Sequence, residues 1–297
     1  MPAERILLFG RGGQVGTEVR PLLERLGDVT ALDQADLDLR DTEAVREAVR
    51  GLRPTMLVNA AAYTAVDRAE TEAELARALN TDAPRAMAEE AARLGARMVH
   101  FSTDYVYPGT GTRPYREEDP AGPQSVYGQT KLDGDRAVLD ASANAVVLRT
   151  SWVFSAHGHN FVRTMFRLAG EGHGTPAKPL RVVADQRGTP TSAVLLAEAT
   201  LAALAHRVPG GVYHLTNAGE TTWHGFAEAV FAERARLRPA ATAVAVTPIA
   251  TADYPTAAHR PAYSVLDNAR WDALGLVGRP SWEDALAHVM PRLLAVP

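Results

Sequence analysis

The sequence predicts an α/β fold, a doubly wound parallel sheet of Rossmann-like type carrying a smaller, irregular C-terminal lobe. Two observations in the first half carry this expectation. Short apolar runs of strand length alternate with longer amphipathic stretches of helical period, as βαβ units require. The first run also ends directly at a glycine cluster that opens a helical stretch. Parallel crossovers are almost always right-handed, so a sheet with helices on both faces is the economical arrangement.

Taken in order, Ile6 to Phe9 is a buried parallel strand. Val15 to Leu26 sets Val15, Val19, Leu22, Leu23 and Leu26 at helical spacing and stops at Gly27. Val29 to Leu32 is a second strand. Thr42 to Leu52 is a helix capped by Asp41 or Thr42 and stopped by Gly51-Leu52-Arg53-Pro54. Met56 to Val58 is a third strand, and an Ala/Glu/Arg-rich helical segment from Glu72 to Leu94 is broken only by Pro84. Strand Met98–Phe101, helix Ser125–Leu139 and strand Ala145–Leu148 follow.

After residue 151 the pattern loosens, with Gly158, Gly170, Gly172 and Gly174 and then Pro176, Pro179 and Pro190. Helix Ser192–His206, strand Val212–Leu215, helix Trp223–Arg236 and a closing helix Trp282–Leu294 complete the chain. The division this suggests is a dinucleotide-binding domain over 1–155 and a mostly substrate-binding lobe over 156–297, with some later segments returning to the first.

Composition narrows the function. With 297 residues, 46% of them hydrophobic and 22% charged, the chain can bury a substantial core. A net charge of −4 without a basic block speaks against nucleic acid as a partner. The absence of cysteine excludes disulfides, Cys-ligated zinc, iron–sulfur clusters and thiolate catalysis. The first apolar run is too short for a signal peptide or a membrane span, so a cytoplasmic protein is expected. His157, His159 and His173 lack HxxxH spacing and read as loop residues; no metal ligand is expected.

Three motifs carry chemistry. Gly10-Arg11-Gly12-Gly13-Gln14-Val15-Gly16 follows the first strand with GxxGxxG spacing, which suits a tight turn, a close approach to pyrophosphate and a helix N-terminus offering free N–H groups. Asp33 at the end of strand two can accept bonds from ribose hydroxyls, with Asp36, Asp38 and Asp41 as alternatives. A carboxylate there leans towards NADH, although Arg40 could reverse the lean. Tyr127 and Lys131 lie four residues apart on one helix face, where a cation would favour phenolate and lower the tyrosine pKa. Ser102-Thr103-Asp104 ends the fourth strand and sets Thr103 to bond the oxygen that Tyr127 protonates.

Together with Asn59-Ala60-Ala61-Ala62-Tyr63-Thr64-Ala65-Val66-Asp67, Ser102-Thr103-Asp104-Tyr105-Val106, Val126-Tyr127-Gly128-Gln129-Thr130-Lys131 and Arg149-Thr150-Ser151-Trp152-Val153, these motifs resemble the dTDP-4-dehydrorhamnose reductases, which are extended short-chain dehydrogenases. The resemblance spans nearly the whole chain. It implies NADPH- or NADH-dependent reduction of the C4 ketone of dTDP-4-dehydro-6-deoxy-L-mannose to dTDP-L-rhamnose, with Thr103, Tyr127 and Lys131 catalytic. The implied cofactor residues are Gly10, Gly13, Gln14, Val15, Gly16, Asp33, Asp38, Leu39, Ala62, Tyr63, Thr64, Tyr127 and Lys131. The implied substrate residues are Thr103, Asp104, Tyr127, Trp152 and Asn160. Glu18 matches one position of a magnesium-bound dimer contact in the family, but Thr191-Ser192-Ala193-Val194 offers no carboxylate at another. That speaks against magnesium and a metal-bridged dimer; a homodimer otherwise stays open.

Two other readings stay open beside it. A nucleotide-sugar 4-epimerase or dehydratase is one, although dehydratases place an Asp-Glu pair after the threonine and here Tyr105 follows Asp104. The other is a non-catalytic regulatory subunit like that of methionine adenosyltransferase.

Overall fold

A computed structural model describes residues 4–168, 179–241 and 243–295; Gly170, Gly172, His173, Gly174 and Pro176 lie outside them. Six strands form one parallel sheet: β1 (Glu4–Phe9), β2 (Gly27–Leu32), β3 (Met56–Asn59), β4 (Arg97–Thr103), β5 (Ala145–Thr150) and β6 (Gly211–His214). Their spatial order is β6-β5-β4-β3-β1-β2, so the direction of winding reverses between β1 and β3. Ligands of open α/β sheets bind beyond the carboxyl ends of the strands at such a reversal. The register sets Phe9 opposite Leu32 and Asn59, and Asn59 opposite His100, while β4 and β5 run on past that level to Thr103 opposite Thr150.

The principal helices are α1 (Gln14–Leu23), α2 (Thr42–Leu52), α3 (Ala83–Leu94), α4 (Val126–Ala141), α5 (Phe161–Leu168), α6 (Ala193–Ala205), α7 (Trp223–Leu237) and α8 (Trp282–Ala295). Successive strand residues point to opposite faces, so an unbroken apolar run buries both. Ile6, Leu8, Val58, Val99 and Leu148 pack with Val19 and Leu23 of α1 and Leu196 and Leu204 of α6. Leu7, Phe9, Leu57, Met98 and Val147 pack on the other face with Val45 and Val49 of α2, Met87 of α3 and Val138 of α4. Helix α6 is apolar nearly all round because it lies between the sheet and α1. Asp41 caps α2 by accepting from Glu43 N and Ala44 N.

The segment from Glu72 to Leu94 differs from a plain helix interrupted at Pro84. An α-helical turn at Ala73–Arg77 opens into a π turn at Ala78–Asp82, where Ala83 N reaches back to Ala78 O, and α3 then begins with Pro84 in its first turn. Proline has no N–H for the carbonyl four residues earlier and its ring crowds it; the wider turn relieves both. The carbonyl released is that of Asn80, and α4 packs onto it at Gly134, where an added Cβ would stand 2.0 Å from Asn80 O. The Asn80 side chain completes the seat, donating to Tyr63 O (3.1 Å) and Thr130 Oγ1 (3.2 Å) and accepting from Tyr63 N (2.9 Å).

A second core gathers Phe154, Val162 and Phe166 with Phe226 and Val230 of α7 and Trp282, Leu286, Val289 and Met290 of α8. It stands beyond the carboxyl end of β5, supported by short pairings of Val153–Phe154 with Thr191–Ser192 and Leu180–Val183 with Val246–Ile249.

Gly134→Ala tests the seat of α4. A methyl group driven into a backbone carbonyl should cost about 1–3 kcal/mol. Urea unfolding should show a lower midpoint with an unchanged slope, and an unchanged midpoint would place α4 elsewhere.

Candidate active site

The turn after β1 is shaped by close approaches. Gly10 has φ +82°, and a Cβ on it would lie 2.7 Å from Ala61 N; one on Gly16 would lie 1.9 Å from Gly10 O. Gly13 is different. Its Cβ would meet only Gly10 O at 3.4 Å and Ala60 O at 3.9 Å, so the protein leaves room there, and Gly13 borders a cleft of about 440 Å³. Gly13 is also the N-cap of α1 and has no side chain to bond the first N–H groups. A bare helix N-terminus beside open space fits a phosphate.

Gly10, Gly13, Asp33, Asp38, Leu39, Ala62 and Tyr63 line this cleft, as do Leu37, Arg68, Leu75 and Leu79, which the sequence did not single out. Nothing local marks those four; the packing of the short helical turns after β3 against the β2 loop brings them in. Gln14 instead reaches Val153 O (3.4 Å), Val15 packs against the core beneath α1, and Gly16 packs on Gly10. Thr64 is exposed, its carbonyl accepting from Val66 N.

Asp33 holds its own turn, accepting from Gly12 N (3.1 Å) and Gln34 N (2.8 Å). Two guanidinium groups flank it. Arg40 grips Asp38 through Nε (2.8 Å) and Nη2 (2.5 Å) and keeps that carboxyl below its ordinary range, while Arg11 pairs with Asp36 at 3.1 Å. This end of the cleft is therefore not simply acidic.

At the ends of β4 and β5 the second constellation assembles. Thr103 Oγ1 donates to Asp104 Oδ1 (3.0 Å) and accepts from Tyr105 N (3.2 Å). Asp104 is 2% exposed and its Oδ2 has no well-aligned partner; burial pushes the carboxyl up to about 6, the nearby Ser264 and Thr103 hydroxyls partly opposing it. Tyr127 enters α4 just after its N-cap Ser125, whose Oγ accepts from Gly128 N (3.1 Å), and its ring meets Tyr105 edge-on at 5.5 Å. Lys131, 2% exposed, donates from Nζ to Phe101 O at 2.6 Å. Burial lowers the ammonium to about 8, opposed by Asp135.

The tyrosine departs from expectation. Burial pushes its phenol above the usual 10, the nearby Thr103 hydroxyl only partly opposing it, and Lys131 does not draw it down. The reason is geometric: the ammonium is bonded to the Phe101 carbonyl and feels the charge of Asp135, while the phenol lies among Thr103, Asp104 and Tyr105. Tyr127 is thus held as a protonated phenol, the form able to donate.

Beyond β5, Trp152 adopts φ +48°, strained for a bulky residue, and stacks on Trp223 at 3.6 Å; Gly188 admits its ring, since a Cβ there would stand 2.5 Å from it. Trp223 was not foreseen, because it comes from the start of α7, seventy-one residues on. Asn160 is used within its own loop, donating to Ser155 O (2.9 Å) and His157 O (3.3 Å) and accepting from Arg163 N (3.1 Å) at the start of α5. Arg260 binds Asp67 (2.6 Å) and approaches Tyr105 Oη (3.4 Å), a cation at this edge that no short motif marks. Glu18 accepts from Arg292 (3.0 Å) and Ser155 (3.2 Å).

Comparison with known proteins places the chain in a family. The family described as the RmlD substrate binding domain matches residues 4–295. A dTDP-4-dehydrorhamnose reductase of Streptomyces griseus is 44% identical over 98% of this chain and 95% of its own. A Streptomyces antibioticus protein called a probable dTDP-4,6-dihydroxy-2-methyloxan-3-one 4-ketoreductase is also 44% identical, over 98% and 96%. The crystal structure of a dTDP-4-dehydrorhamnose reductase from Bacillus anthracis in complex with NADP superposes with a TM-score of 0.88 at 32% identity, covering 97% of this chain and 99% of that one.

Asp104 yields a test by pH. Its folded-state pKa of about 6 lies above the ordinary value of 3.8, so its contribution to stability is present in full below the ordinary value and is lost as pH rises through 6. Between pH 7 and pH 5 the native state should gain about 1–1.5 kcal/mol from this group. Urea unfolding of wild type and Asp104→Asn at both pH values isolates it: the variant should lack that gain, and equal pH dependence in the two proteins would refute the assignment.

Proposed function

Because the chain belongs to the dTDP-4-dehydrorhamnose reductase family and is an NAD(P)H-dependent oxidoreductase, we propose that it reduces the C4 ketone of dTDP-4-dehydro-6-deoxy-L-mannose to dTDP-L-rhamnose. The observation that carries this reading is the convergence of Thr103, Tyr127 and Lys131 at one sheet edge, with the phenol kept protonated by burial. Reduction of a ketone needs a proton at the oxygen, and a buried phenol beside a hydroxyl is a proton donor at the right edge.

The open face of Gly13, the uncapped start of α1 and the cleft running to Asp33 fit a nicotinamide dinucleotide. When bound, that cofactor supplies the hydride. Gly10 and Gly13 would admit its pyrophosphate, Ala62 and Tyr63 would line its path, and Asp33 would face the ribose. Arg11 and Arg40 beside Asp33 suit a 2′-phosphate, which supports NADPH in place of the lean towards NADH that Asp33 alone suggests. The Bacillus anthracis relative, with NADP bound, points the same way.

On the substrate side, Tyr127 Oη donates its proton to the nascent alkoxide and Thr103 orients that oxygen. Lys131, its ammonium on the Phe101 carbonyl one helical turn from Tyr127, would hold the ribose beside the nicotinamide, and solvent reprotonates Tyr127 after the step. Asp104, with one oxygen lacking a well-aligned partner, accepts from a sugar hydroxyl. The Trp152–Trp223 stack forms a flat apolar wall against the sugar nucleotide, while Asn160 fixes the loop that leads to it. A second reading keeps the chemistry and changes the sugar: the Streptomyces antibioticus relative is as similar as the Streptomyces griseus one, so a different dTDP-4-ketosugar is the alternative.

The decisive assay follows reduced-nicotinamide absorbance with dTDP-4-dehydro-L-rhamnose made in situ, using NADPH and NADH in parallel, with magnesium or with EDTA. Sugar-dependent consumption is expected; cofactor binding without consumption would favour the other ketosugar or a non-catalytic role. Tyr127→Phe should retain cofactor affinity and lose about 10²–10⁴-fold in turnover; near-normal rates would remove Tyr127 from its role. Gly13→Val should fold normally, since the protein leaves space there, yet lose dinucleotide affinity. Unchanged affinity by fluorescence titration would displace the phosphate site.

A further inference from the structure

We propose that Asp135 is a positioning residue for the reaction: a buried carboxylate, one helical turn along α4 from Lys131 and anchored to β5 through Arg149, that holds Lys131 as a charged ammonium beneath Tyr127. The proposal builds on the role given to Lys131 above.

Positions 131 and 135 share one face of α4, and their side chains are 2% and 1% exposed. An ammonium so placed is costly unless a counter-charge accompanies it, and otherwise sheds its proton. The Phe101 carbonyl at 2.6 Å supplies a hydrogen bond but no charge. The titratable and charged groups around Lys131 are Tyr127 and Asp135 on α4, His100 on β4, Asp104 just beyond β4, and Arg149 on β5. Tyr127 is a neutral phenol. His100 is fully buried, with Nδ1 held by Asn59 Nδ2 at 3.1 Å, and burial together with the Lys131 charge keeps it neutral. Asp104 is bonded by Thr103. Asp135 is the group whose charge favours the ammonium.

The anchoring of Asp135 supports the same role. Arg149 Nε binds Oδ2 at 3.0 Å, and Arg149 Nη1 goes on to Tyr107 Oη (2.8 Å), which contacts His214 Nε2 at 2.7 Å. The carboxylate is therefore fixed by β5 and β6 and cannot swing away with α4 alone. Oδ1 has no well-aligned partner, and the Ser102 hydroxyl beside the carboxyl also favours its charged form. Lys131 and Lys178 are the chain's lysines, and all its other strong bases are arginine. Lysine is the base whose charge can be tuned by its surroundings.

The scarcity of lysine also makes the test direct. In protein labelled with ¹³C at lysine Cε, two lysine signals are expected, and Lys178→Arg identifies the one from Lys131. In wild type its titration should centre near 8. Asp135→Asn should move that midpoint to lower pH by about one unit or more, and Asp135→Glu should restore it. The Asp135→Asn, Arg149→Gln double variant avoids leaving a lone buried guanidinium, protecting the fold, and should show the same displacement. The alkaline limb of the turnover profile should follow the midpoint. A Lys131 midpoint that stays put in both folded variants would reduce Asp135 to a structural ion pair and overturn the proposal. Absence of turnover in wild type would instead fail the proposed reaction, leaving the lysine titration to be read by itself.

Discussion

The seating of α4 against β4 is the constraint on which the site depends. This helix delivers Tyr127 to the carboxyl edge of the sheet and buries Lys131 beneath it, with its ammonium on the carbonyl of Phe101. Two contacts set the helix at that depth: Gly134 against the carbonyl of Asn80, and Thr130 tied to Asn80 and Thr81. Both reach into the π turn that Pro84 makes favourable. A proline in one helix thus determines how closely another approaches the sheet, and so where a phenol stands.

Burial at this edge produces opposite effects on neighbouring groups. It raises the phenol of Tyr127 and the carboxyl of Asp104 and lowers the ammonium of Lys131, each because the charged form loses water. Charges that persist there do so in company, as Asp135 does with Arg149. The outcome suits reduction, since a phenol that keeps its proton is ready to give it. The glycine turn works by geometry instead: Gly10 and Gly16 are bare because backbone lies against them, Gly13 because it borders the cleft.

Much of this was legible in the sequence. The five strands of the first half, α1, α2 and α4 follow from apolar runs, helical spacing and terminators, all local properties. The strand near 212 was legible too, but its place beside β5 in the main sheet was not, because strand order is a matter of packing. Pattern alone also suggested that Lys131 would draw Tyr127 down. Spacing reports that two side chains share a helix face; it does not report that one of them is already bonded to the neighbouring strand.

Sequence by itself determined the fold class, the glycine turn and the placing of Thr103 at a strand end with Tyr127 and Lys131 on one helix, because backbone propensity and side-chain chemistry are written locally. Tertiary structure alone decided the packing of α4 on the π turn, the pairing of Trp152 with Trp223, the approach of Arg11 to Asp36 and the anchoring of the carboxylate behind Lys131 by Arg149. Each of these joins segments distant in the chain or turns on desolvation. Burial is a property of the assembled molecule, and it sets which of these groups carry a proton.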